Sequence, residues 1–264
     1  MHPVELKADP MSANPFEFAP FRELLDAIPR EGIDSFAELE LRFLAAMSAF
    51  DSLRADSLTS GQNQNKGLFF NELIGRLLER CAGVGVAKRG KRRGVLLEKV
   101  DVDLCFPSDP AEPPVVIAET KMAGTPQHPG NAGTTPVEGR RASADTAKRV
   151  REIALNVIDL KLADAEGGAA PIGDIATWIQ QQRPAVFALF GIRLTDHNDH
   201  ALVIRDAQRL ANSYANGVGL ALYTARDFAT PEGRTDYVAI PPPGGMSIDD
   251  ALRRLCRQVR AAAH

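Results

Sequence analysis

The stretch VDVDLCFPSDPAEPPVVIAETK, residues 100–121, decides how the rest of the chain is read. Two runs rich in β-branched residues, one ending at Phe106 and the other starting at Val115, flank a proline-rich segment, which predicts two strands joined as a hairpin. Side chains two apart on a strand project to the same face. Glu119 and Lys121 therefore point together while Thr120 points away, and Asp101 and Asp103 share a face of the preceding strand. Pairing of the two strands brings an Asp, a Glu and a Lys to one end of a sheet. Such charges cost several kcal/mol each to bury unless they are paired or hold a metal. A hard cation suits the set, because magnesium takes few carboxylates and completes its shell with water and phosphate oxygens. The lysine then has its own task, orienting and polarising an attacking water. An ion pair across the hairpin is the bland alternative, since strand pairs use opposite charges.

Working outward, LFFNELIGRLLERC (68–81) carries Leu68, Leu73, Leu77 and Leu78 at helical spacing and runs into Ala82-Gly83, a C-cap signal. GVGVAKRGKRRG (83–94) follows and predicts one further strand before the hairpin. Beyond Lys121, residues 122–139 are rich in Gly, Pro and Thr without a period and predict a long loop, of a length that is usually either functional or disordered. A helix is expected from Ser143, with Val150, Ile153, Ala154, Val157 and Ile158 facing inward. AVFALFGIRL (185–194) and VGLALYTAR (218–226) read as strands covered on both faces, separated by a helix closing on Gly217. DYVAI (236–240) is a weaker strand, and SIDDALRRLCRQVRAAA (247–263) is a helix capped by Ser247. Upstream, residues 14–30 predict a short proline-bounded helix. Ser35 and Glu38 have capping-box spacing before FAELELRFLAAMSAFDSL, and the polar SLTSGQNQNK (57–66) separates this section from the rest. The reading is thus a helical N-terminal extension, 1–60, and a core with a C-terminal helix, 61–264. The core order of helix, three strands, helix, strand, helix, strand predicts an α/β fold with a mixed sheet flanked by helices.

In this arrangement the chain resembles the PD-(D/E)XK phosphodiesterase superfamily, to which most type II restriction endonucleases belong. The resemblance covers roughly residues 66–225 and implies a restriction endonuclease-like αβββαβ core. Asp103 matches the acid ending one strand, and Glu119-Thr120-Lys121 matches the acid-x-Lys of its neighbour. Glu72 is the candidate for the glutamate that many members carry on the preceding helix, with Glu79 as its rival. Val102 rather than proline precedes Asp103, which leaves Asp101 open as the metal ligand. Two other acid-x-Lys triplets occur. Glu5-Leu6-Lys7 has no strand behind it, and Asp159-Leu160-Lys161 lies in a helical pattern, where positions two apart do not face each other.

Composition narrows the class. The chain has 264 residues, 44% hydrophobic and 25% charged, as expected of a soluble globular protein. No apolar run approaches a membrane span and no leader pattern opens the chain, so a cytoplasmic protein is expected. Cys81, Cys105 and Cys256 are far apart and odd in number, which predicts free buried thiols rather than a disulfide or zinc site. His128, His197 and His200 form no catalytic pattern. The net charge of −3 is not that of a typical nucleic-acid binder, but cations gather at Lys88, Arg89, Lys91, Arg92 and Arg93, at Arg140, Arg141, Lys148, Arg149 and Arg151, and at Arg253, Arg254, Arg257 and Arg260. The first group, with Arg140, Arg141 and Lys148, is the candidate DNA contact; Asn71 and residues 62–66 are weaker ones. The resemblance then implies a magnesium-dependent endonuclease acting on double-stranded DNA, with Asp103 and Glu119 holding the ion, Lys121 orienting the water and Glu72 in support. A sequence-specific type II restriction enzyme working as a homodimer is the favoured form. A structure-selective repair nuclease or resolvase, or a non-cleaving DNA-binding module, is the alternative.

Overall fold

A hydrophobic core on each face of one sheet organises the chain, as a computed structural model shows. The structure describes residues 17–57, 64–126, 139–164, 178–179, 181–225 and 236–263. The elements in order are α1 (Ala19–Glu31), α2 (Glu40–Ser57), α3 (Gln64–Ala82), β1 (Ala87–Arg92), β2 (Val100–Phe106), β3 (Val116–Ala123), α4 (Ala142–Asp164), β4 (Ala185–Leu194), α5 (His197–Ser213), β5 (Gly217–Ala225), β6 (Tyr237–Ile240) and α6 (Ile248–Ala263). The six strands form one sheet in sequence order. β1, β2 and β3 are antiparallel, β3, β4 and β5 are parallel, and β6 is antiparallel at the far edge.

Residues alternate between the two cores because strand side chains alternate. Ala118, Phe187, Leu189, Ala221 and Tyr223 pack with α1, α2, α3 and α6. Ile117, Val186, Ala188, Phe190 and Leu222 pack under α4 and α5. With both faces covered, β5 is buried throughout and β4 in all but its first residue, which accounts for their unbroken apolar runs.

The N-terminal helices belong to this packing. Phe21 of α1 stacks on Phe69 of α3, with ring centroids 3.9 Å apart. Fully buried Asp51 of α2 pairs with Lys66 of α3 and accepts 2.6 Å from the Tyr237 hydroxyl on β6. The α6 stripe of Leu252, Leu255 and Val259 is buried in the same core, and Asp249 of α6 accepts from the Phe36 and Ala37 amides at 2.6 and 3.0 Å. Among the described residues no helix is long and apolar enough to cross a membrane.

Several local expectations change. Gln64–Lys66 begin α3 instead of lying in a connecting stretch. α5 starts at His197, capped by Asp196, so His197 and His200 are in its first turn. It stops at Ser213, and Gly217 opens β5, where a Cβ would lie 2.8 Å from the Phe187 ring. Close approach, rather than helix termination, requires that glycine. Cys81 and Cys256 form a disulfide, contrary to the expected free thiols. They are 175 residues apart, and only the packing of α3 on α6 brings their Cα atoms to 6.2 Å. Cys105 is free and buried.

Candidate active site

The β2–β3 ladder ends at Leu104↔Ala118. Continuing that register sets Asp103 opposite Glu119, so both carboxylates stand where the two strands stop pairing, and Lys121 projects from the same face of β3 as Glu119. The Lys121 Nζ donates to Asp103 Oδ2 and, at 2.8 Å, to Glu119 Oε2. The Thr120 amide also donates to Asp103 Oδ2, at 2.9 Å. The free end of a hairpin thus leaves backbone donors to orient the aspartate, which a continued ladder would have occupied. Asp101, the rival ligand, is 85% exposed and lies 3.9 Å from Lys91, away from this group.

Burial governs the electrostatics. It pushes the Glu119 carboxyl up to about 7; Lys121 pulls it down, and Asp103 adds to the rise. Burial opposes the Lys121 ammonium, but Glu119 and Asp103 outweigh it and hold the lysine above its ordinary value. The Glu119 Oε1 is buried without a hydrogen-bond partner among the described residues. A buried acceptor left without a donor costs free energy, and a cation or its bound water would satisfy it.

The site opens into a cleft of about 490 Å³ between α3 and α4, lined by Asp103, Thr120 and Lys121 with Lys66, Asn71, Arg89, Arg140, Asp145 and Arg149 among others. Gly124 turns the chain at its edge with φ +80, and a Cβ there would meet the Arg193 carbonyl oxygen at 2.1 Å. Thr125 and Arg140 then pair through mutual 3.1 Å backbone bonds. Both ends of the long predicted loop therefore start from the cleft, while residues 127–138, His128 included, lie outside the described residues.

Other expected site residues are distributed differently. Glu72 is not brought to the cleft. It accepts from Arg76 at 2.8 Å and Lys88 at 3.2 Å, and Glu79 holds the same lysine at 2.8 Å. Glu72, Arg76 and Glu79 follow helical phase as the polar stripe of α3, whereas Asn71 falls within its apolar stripe and is only 5% exposed. The Asn71 side chain donates to the Asp103 carbonyl at 3.3 Å, and its own Oδ1 is buried with no partner among the described residues. A buried polar residue amid Phe70, Leu73 and Ile74 was the available signal for a site position.

Nor are the candidate DNA contacts gathered on one surface, and in β1 the positive φ of Arg89 interrupts the regular alternation of the strand. Lys88 is held by the α3 glutamates, and Arg92 is buried, donating to the Pro107 and Lys91 carbonyls at 3.1 Å. Lys91 pairs weakly with Asp101, and Arg93 lines a separate cavity with Pro110–Pro114. Arg141 is 3.5 Å from Asp196 and Lys148 is 3.8 Å from Glu152, both outside the cleft lining. Arg89 and Arg140 are the two that line the cleft; Lys66 and Arg149 join them there.

Among the described residues no group of three or more His, Cys, Asp and Glu side chains is placed to hold a metal. The two carboxylates with the orphaned Glu119 oxygen nevertheless fit a hard ion that keeps most of its water. Comparisons with family models, with curated proteins and with solved structures found no match for this chain.

Proposed function

We propose that the chain is a magnesium-dependent endonuclease that hydrolyses phosphodiesters of double-stranded DNA. One observation carries the reading: Asp103, Glu119 and Lys121 meet at the splayed end of a hairpin, and Asp103 and Lys121 line a cleft that other cations also line. The helix, three strands, helix, strand order supports it, as a restriction endonuclease-like core has that order.

Asp103 and Glu119 would hold the ion. When bound, magnesium would lower the pKa of a water and offset charge on the phosphate. Lys121, fixed by both carboxylates, orients the attacking water and faces the charge that develops. The water oxygen bonds to phosphorus as the opposite ester bond breaks; the water gives up a proton to solvent and the leaving oxygen takes one up. Arg140 and Arg149, which also line the cleft, suit the flanking phosphates.

Incubation of the chain with plasmid and magnesium tests the reading. Discrete fragments mark a sequence-specific restriction enzyme, the favoured form; preference for branched substrates marks a repair nuclease. Retarded but uncut DNA marks a binding module and overturns the enzyme. Magnesium and manganese are expected to support cleavage, and calcium to allow binding with little turnover, because its larger, looser shell replaces a compact octahedral ion poorly. Full activity in excess chelator rules the mechanism out. The ion must also displace the proton that burial favours on Glu119, so the magnesium concentration for half-maximal rate rises as pH falls below about 7.

The proposed active form is a twofold homodimer, since cutting both strands of a palindromic site calls for two centres related by the site's axis. The α6 stripe is already buried within the chain, so the contact uses other surface. Light scattering with and without a short duplex decides, and a single-subunit mass in both samples overturns the dimer.

A further inference from the structure

Among the described residues, five cations line the cleft: Lys66, Arg89, Lys121, Arg140 and Arg149. Carboxylates meet four of them. Lys66 pairs with Asp51, Lys121 with Asp103 and Glu119, Arg140 with Asp145 at 3.8 Å, and Arg149 with Glu152 at 2.6 Å. Arg89 has no ion-pair or hydrogen-bond partner among the described residues, and it is exposed. The β1–β2 register passes from Lys88↔Leu104 to Gly90↔Val102, which sets Arg89 across from Asp103.

The backbone at this residue is unusual as well. Arg89 has φ +61, and no other non-glycine residue described has a positive φ. Left-handed backbone is unfavourable for a residue with a Cβ, and glycine or asparagine usually fills it. A strained conformation persisting beside a reactive group is a reason to look for a role there. The side chain suits one: a guanidinium is charged at every relevant pH, and its planar fork matches two oxygens of a phosphate.

We infer that Arg89 is a further catalytic residue, whose guanidinium holds the non-bridging oxygens of the scissile phosphate beside Asp103. The assignment rests on the endonuclease reading. It sets Arg89 apart from Arg140 and Arg149, which have carboxylate partners and suit flanking phosphates. Charge on the equatorial oxygens is greatest as the bond to the leaving group breaks, so Arg89 acts more on the rate than on ground-state affinity.

Three variants test this: Arg89→Gly, which removes the guanidinium and suits the backbone, Arg89→Ala, which keeps the strain, and Arg89→Lys, which keeps the charge without the fork. Thermal unfolding, binding of a 30-base-pair duplex in calcium, and single-turnover plasmid cleavage in magnesium are measured for each. Arg89→Gly is expected to melt about 2 °C above the parent and above Arg89→Ala. It is expected to lose about 100-fold in cleavage rate and less than about tenfold in duplex affinity. Arg89→Lys recovers part of the rate. Cleavage by Arg89→Gly near the parental rate overturns the inference, and so does an equal fall in rate and affinity, which marks an ordinary backbone contact. If Lys121→Ala is inactive while the Arg89 variants cut normally, only this inference falls. A parent that cuts no plasmid in magnesium removes the endonuclease reading and Arg89's role together.

Discussion

Alanine at Lys121 is expected to lower plasmid cleavage by about three orders of magnitude or more, with DNA binding reduced far less. The size follows from how the group is built. Lys121 touches both carboxylates, so removing its ammonium takes away the charge proposed to orient the water and leaves Asp103 and Glu119 facing each other with only the Thr120 amide on Asp103 Oδ2. Alanine at Asp103 or Glu119 is expected to cost a similar factor, and combining two of these changes to cost little more, since groups acting as a unit are not additive. Asp101→Ala is the control. Its carboxylate is exposed beside Lys91, and the parental rate should persist. Normal cutting by Lys121→Ala would show that the site is assigned wrongly; loss of activity in Asp101→Ala would move the ligand to that residue.

The second large effect concerns the support of α4, which brings Asp145 and Arg149 to the cleft. Asp199 of α5 is fully buried, and its carboxylate accepts from the Ala142 and Ser143 amides at 3.2 and 2.7 Å, and from the Thr195 amide and hydroxyl at 3.1 Å. It serves as a cap for α4 supplied from another helix, satisfying amides that α4 cannot bond within itself. Asp199→Ala takes the acceptor from those largely buried amides, and is expected to destabilise the fold by about 3 kcal/mol. Urea unfolding at neutral pH measures this. A loss below about 1 kcal/mol would show that water or a shifted backbone replaces the carboxylate.

Asp159-Leu160-Lys161 shows how far pattern alone carries. Helical phase was sufficient to reject it as an acid-x-Lys site, and the structure sends the two charges to different partners. Asp159 accepts from the Val95, Leu96 and Leu97 amides at 2.6, 2.5 and 3.0 Å, and Lys161 donates to the Gln182 carbonyl at 2.8 Å. Burial lowers the Lys161 ammonium to about 8. Nothing local in the sequence identifies those partners, because they lie 21 to 64 residues away.

Periodicity by itself determined most of the elements. The hairpin of β2 and β3, the doubly buried β4 and β5, the amphipathic α4 and the Ser247 cap, whose Oγ accepts from the Asp250 amide at 3.0 Å, follow from interactions within a few residues, and short-range patterns record those directly. Alternation likewise put Glu119 and Lys121 on one face. Only the tertiary structure decided that Asp103 and not Asp101 joins them, since that depends on where the β2–β3 ladder stops. It also decided that α3 presents Asn71 to the cleft while Glu72 holds Lys88, that Cys81 meets Cys256, and that Arg89 takes a left-handed conformation across from Asp103. Each of these outcomes is set by the rotation of a helix or the twist of a strand against neighbours distant in the chain, and no short window of sequence contains that information.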